Sequence, residues 1–125
     1  MPTLFHHPLS PFCRKVRLVA GEKGIGVSLE TEEPWRRREE FLALNPAAQV
    51  PVWVEDDGTT IAESSAICEF LEDLYPGDTL VGRSPADRAE TRRLIGWFDL
   101  KFAREVTDYL NCLLYTSDAA DESSS

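Results

Sequence analysis

The 125-residue sequence predicts an α/β domain of order β-α-β-α-β-β-α, followed by the opening helix of a second, truncated all-α unit. Three observations carry that reading. Residues 3–44 alternate short apolar runs with stretches of helical spacing, the order that favours parallel strands joined by right-handed crossovers. Residues 51–61 then hold two short strand-like runs about a turn-rich loop, which is a hairpin. Finally, two amphipathic stretches follow, separated by Pro76-Gly77.

Element by element, Thr3, Leu4 and Phe5 are short and apolar enough for a buried strand, and His6, His7 and Pro8 end it in a loop. Ser10 fits a helix N-cap, with Pro11 at the first helical position, where its missing N–H costs nothing. Phe12, Val16, Val19 and Ala20 recur at helical spacing until Gly21 and Gly24. Val27 to Thr31 alternates apolar and polar, as a half-buried strand does, and Pro34 opens a helix through Phe41, Leu42 and Leu44 that Asn45-Pro46 ends. Residues 51–54 and 59–61 pair around Glu55-Asp-Asp-Gly58. Ala66, Ile67, Phe70, Leu71 and Leu74 form the stripe of a third helix. From Pro85 a longer helix places Ile95, Phe98, Phe102, Val106 and Leu110 on one side, and such a face needs a partner.

The expected organisation is therefore a domain over 1–77, a linker over 78–84 and the start of a helical domain over 85–111. Residues 112–125 are small, acidic and serine-rich, which predicts a disordered, non-native tail.

Composition narrows function by exclusion. A formal charge of −9 argues against a nucleic-acid surface, and the basic cluster Trp35 to Arg38 runs into Glu39 and Glu40 as a solvated helix face does. No apolar run approaches the roughly eighteen residues of a membrane span, so a cytoplasmic protein is expected. Cys13, Cys68 and Cys112 are odd in number and widely spaced, which fits reduced thiols. His6 and His7 lack further ligands at metal spacing, so no metal is expected.

Three segments carry the candidate chemistry: Ser10-Pro11-Phe12 with Arg14, Val16 and Arg17; Asn45-Pro46-Ala47-Ala48-Gln49-Val50-Pro51-Val52; and Glu63-Ser64 with Ala66-Ile67 and Phe70-Leu71-Glu72. In this order and spacing they resemble the cytosolic glutathione S-transferases, bacterial type, with serine at the catalytic corner. The likeness covers residues 1 to about 111. It implies a thioredoxin-like first domain, glutathione as co-substrate, a small electrophile as second substrate and, for the full-length family, a homodimer.

By the same resemblance Ser10 holds the glutathione thiolate, Val50-Pro51 is the cis-proline site that meets the cysteinyl unit, and Glu63 and Ser64 take the γ-glutamyl ammonium and carboxylate. Gln49 meets the glycyl end, and Phe12 joins the glutathione-binding set. The physical need is clear, because a free thiol of pKa near 8.5 is only about 3% ionised at pH 7. A hydroxyl donor at a helix N-terminus favours the anion. Ser10-Pro-Phe-Cys13 also resembles a glutaredoxin site whose first cysteine has become serine. That leaves two rival readings: a thiol oxidoreductase using Cys13, or a non-catalytic transferase-like binding module.

Overall fold

The structure is a computed structural model that describes residues 1–77, 79–108, 110, 112 and 113 and divides into two compact units, residues 1–80 and 81–125. The first unit is built on a four-stranded sheet. Strand β1 (Thr3–His6) pairs parallel with β2 (Ser28–Thr31) on one side and antiparallel with β3 (Val52–Val54) on the other. Strand β4 (Thr60–Ala62) closes the order β2-β1-β3-β4. This is the expected α/β, thioredoxin-like arrangement, followed by a helix.

Alternation along β1 buries Leu4 and His6. Leu4 and Trp53 join Val16 and Ala20 of helix α1 (Pro11–Glu22) and Ile67, Cys68 and Leu71 of helix α3 (Ser64–Leu74) in one core. Each large apolar side chain buried there contributes on the order of 1.5–3 kcal/mol. Phe5, on the other side of the pleat, packs its ring 6.0 Å from that of Phe41 in the short helix α2 (Glu39–Leu44). The two helices that carry candidate residues at their N-termini, α1 and α3, are thus fixed by packing on a common core.

Two expectations are corrected. Strand β2 is not half-buried, because all four of its residues are exposed. Its pattern of alternation is real, but β2 is an edge strand whose Leu29 stays 43% exposed. The second helix does not start at Pro34 either. Pro34–Arg36 forms a single 3₁₀ turn, Arg37 is left-handed at φ 50°, Arg38 is extended, and only then does α2 begin. The cause is an ion pair: the Arg38 guanidinium grips the buried Glu32 carboxylate with bonds of 2.6 to 3.2 Å, which holds Arg38 outside the helix. Glu39 and Glu40 then occupy the first turn, where the helix dipole favours them.

In the second unit, helix α4 (Pro85–Gly96) is capped by Ser84, whose hydroxyl accepts the Asp87 N–H at 3.1 Å. Gly82 precedes it at φ +104°, and a Cβ there would meet Asp87 Cβ at 2.9 Å, so this entry turn requires glycine. The helix continues as a π-helical stretch over Trp97–Thr107. Trp97, Phe98 and Phe102 pack ring on ring along it, at 4.8 to 5.8 Å, while staying largely exposed. Cys112 and Leu113, where the disordered tail is expected to begin, are helical; residues 114–125 lie outside the described ones. Among the described residues no helix is long and apolar enough to cross a membrane.

Candidate functional site

The sheet register brings the three sequence segments to one end of the first unit. Phe5 is level with Val52, and Val52 with Ala62. The chain leaving β1 toward Ser10, the Val50-Pro51 pair entering β3, and Glu63 leaving β4 are therefore neighbours across the sheet. His6 and Thr31 are level at the same end, so the β2–α2 connection starts there as well.

Ser10 is the N-cap of α1, in an extended conformation at φ −83°, ψ 119°. Its N–H donates to the His7 carbonyl at 3.0 Å, and its hydroxyl oxygen accepts the Cys13 N–H at 3.2 Å. A hydroxyl has one proton to donate. With the helix amide already on the oxygen, that proton faces the Cys13 thiol at the helix's positive end. Cys13 lies directly beneath, only 1% exposed. Burial pushes its thiol up from the ordinary value, against the lowering pull of hydrogen bonding to Ser10, of the His7 backbone and of the Arg17 charge. A buried neutral thiol is a weak acceptor and a poor nucleophile. Arg14 and Arg17 of the basic run face solvent, and Lys15 reaches Ser65 Oγ at 3.4 Å, tying α1 to the start of α3.

Val50-Pro51 is a cis peptide bond. Among the described residues no hydrogen bond takes up the Val50 N–H or C=O. The loop before it is braced by a residue that the sequence marks only as a helix stop. Asn45 is buried, its Nδ2 donates to the Gln49 carbonyl at 2.9 Å, and its Oδ1 accepts the Ala47 N–H at 3.2 Å. Gln49 itself is exposed and Phe12 half-buried.

Glu63 is left-handed at φ 81° and caps α3, its carboxylate accepting the Ser65 and Ala66 N–H groups at 3.0 and 3.1 Å. Two of the helix-end amides are thus already satisfied by an acid from the chain itself, and Ser64, the first helical residue, is buried beside it.

Two features of this end have only weak sequence signals. His7 accepts the Leu9 N–H on Nδ1 at 3.3 Å and meets the Trp35 ring edge-on at 5.2 Å. His6 is 7% exposed, and its Nδ1 is buried without a partner. Burial, together with the positive charges of Arg17 and His7, pushes its pKa down, so the folded chain resists protonation there. The unfolded chain takes up that proton near pH 6.5. Stability is therefore full above pH 6.5 and expected to fall as pH drops from there toward the lower folded value. Urea midpoints of wild type and His6→Phe across this range check it: the variant should show a flatter decline, and parallel curves would refute the assignment. Among the described residues no group of three His, Cys, Asp or Glu is placed to hold a metal.

A mixed sheet of this order, with a capped helix start, a cis proline and a second helix start gathered at one end, defines the thioredoxin-like class. Residues 9–74 match the glutathione S-transferase N-terminal domain, and the chain belongs to the glutathione S-transferase family. FtsZ-localized protein A of Caulobacter vibrioides is 43% identical over 86% of this chain and 49% of its own length. A glutathione S-transferase from Rhodospirillum rubrum is 54% identical with a TM-score of 0.84, covering 86% of this chain and 49% of that one. Another, from Methylobacterium radiotolerans in complex with glutathione sulfonate, is 34% identical over 74% of this chain and 43% of its own, with a TM-score of 0.70. The chain spans about half the length of the curated relatives it matches first.

Proposed function

We propose that this chain is the glutathione-binding half of a glutathione S-transferase, a soluble cytoplasmic enzyme whose full-length form dimerises. Bound glutathione thiolate attacks an electrophilic carbon of a small molecule, with Ser10 as the catalytic residue that stabilises the anion. The supporting observation is the Ser10 hydroxyl: its oxygen caps α1, and a thiolate at this helix end is a stronger acceptor for its proton than the neutral Cys13 thiol beside it. The N–H and C=O of Val50, which no hydrogen bond takes up among the described residues, suit the extended cysteinyl unit. The Glu63 carboxylate offers a counter-charge to the γ-glutamyl ammonium, Ser64 a contact to its carboxylate, and Gln49 and Phe12 border the rest.

The test is to titrate glutathione into the protein while following thiolate absorbance against pH. Binding with a thiol pKa lowered by about one to two units supports the transferase, since that is the worth of a hydrogen bond to a charged acceptor. Binding without a shift favours a second reading, a non-catalytic binding module, which the likeness to a protein named FtsZ-localized protein A brings forward. The oxidoreductase reading loses ground, because Cys13 is buried and its thiol is pushed up rather than down.

A further inference from the structure

Resting on the glutathione-binding reading, we infer that His6 is a proton-operated switch on that site: the neutral ring holds the Ser10 corner in its binding form, and a proton taken from solvent opens the corner and releases glutathione. His6 is the last residue of β1, and alternation along the strand buries its side chain on the same face as Leu4, which packs with Val16 and Ala20 of α1. The ring is 7% exposed, and its Nδ1 is buried with no hydrogen-bond partner among the described residues. A neutral imidazole bears that at the cost of one unmade bond. An imidazolium has two N–H donors to satisfy and a charge to solvate.

The surroundings offer that charge no compensation. Burial disfavours it, and the charged groups that act on the ring, Arg17 of α1 and His7 of the following loop, are themselves cations; no charge on α3 acts on it. On β2, Thr31 is level with His6, and the carboxylate after it, Glu32, is held by Arg38. A proton is therefore accommodated where the ring reaches water. It gets there by displacement of residues 6–10, a segment held by the Glu32 N–H on the His6 carbonyl at 2.8 Å, the Ser10 N–H on the His7 carbonyl at 3.0 Å and the Leu9 N–H on His7 Nδ1 at 3.3 Å. The second of these bonds anchors Ser10, so the open form lacks a placed hydroxyl. A site that binds only when closed loses apparent affinity in proportion to the closed fraction. His6 and His7 are the only histidines of the sequence, and no other side chain ordinarily titrates between about pH 5.5 and 7.5.

The experiment measures calorimetric affinity for S-methylglutathione, which has no thiol to titrate, from about pH 7.5 to 5.5. Wild type, His6→Phe and His6→Leu are compared, with circular dichroism confirming the fold at each pH. Wild type should bind at constant affinity down to about pH 6.5 and weaken below it, by at most about tenfold per pH unit, the limit for one proton. Its binding near pH 6 should release a proton, read from the dependence of the heat on buffer ionisation, a readout that needs no variant. Both variants should bind with an affinity independent of pH and without proton release. A wild-type affinity that stays flat over the whole range overturns the switch and leaves the glutathione site standing. A decline that persists in both variants assigns the proton to His7 and overturns it equally. Failure of wild type to bind at pH ~7.5 overturns the glutathione reading and the switch with it.

Discussion

Ser10→Ala is expected to raise the pKa of the bound glutathione thiol by about one to two units, back toward the free value near 8.5, cutting thiolate at pH 7 roughly eight- to twenty-five-fold. Affinity for glutathione should change far less, since the Val50 backbone and the Glu63-Ser64 corner are untouched. The same substitution removes the cap on α1, because the Ser10 oxygen accepts the Cys13 N–H, and that loss costs about 1 kcal/mol of stability. The two roles are separable with Ser10→Asp. Aspartate caps a helix as well as serine does, but places a negative charge where the thiolate sits. Its melting behaviour should match wild type while the thiol pKa rises above that in Ser10→Ala. Thiolate absorbance and thermal unfolding on the three proteins give both readouts. If Ser10→Ala leaves the bound thiol where wild type holds it, the serine is only a cap.

Local signals made that corner legible in advance. Ser10 with Pro11 specifies a helix start through the chemistry of two adjacent residues, and the hairpin over 52–62 follows from Gly58, which takes φ +92° in its turn. What local reading could not supply depends on residues brought together by the sheet. The 34–44 segment has helical periodicity, yet it breaks at Arg37 because Arg38 is claimed by Glu32, a residue at the end of another element. The exposure of β2 follows from its edge position, which no pattern within residues 28–31 encodes. Similarly, Asn45 is readable as a helix terminator, but its bond to the Gln49 carbonyl exists only once the loop has folded back. Glu63 is a different case. An acid before a helix reads as a cap, while its left-handed backbone, uncommon for a non-glycine residue, gives no sign in the sequence.

The largest effect on stability is expected far from the site, at Lys23. This side chain, the C-cap residue of α1, is 3% exposed and meets the 5%-exposed Glu72 of α3 at 2.9 Å. Lys23 also donates to the Tyr75 carbonyl at 2.9 Å, while Glu72 accepts the Thr79 hydroxyl and the Leu80 N–H, each at 2.9 Å. One buried pair thus ties the ends of α1 and α3 to residues that the sequence assigns to a linker. Lys23→Met leaves the carboxylate buried without its counter-ion, and breaking such a pair costs about 3–5 kcal/mol. In urea this should lower the midpoint by on the order of 2 M. Lys23→Met/Glu72→Met removes both charges and should be more stable than Lys23→Met, because an apolar pair carries no desolvation penalty. The pH dependence has a definite sign. Burial pushes Glu72 up, but the Leu80 N–H, Lys23 and the Thr79 hydroxyl together outweigh it and hold its pKa below the ordinary carboxylate value. Its contribution is therefore complete above the unfolded value, near 4.3, and lost as pH falls through the lower folded one. The double variant should lack that acid limb while retaining the His6 decline at higher pH. A Lys23→Met protein within 1 kcal/mol of wild type would show that the clasp is decorative, and that α1 and α3 are held by their apolar core alone.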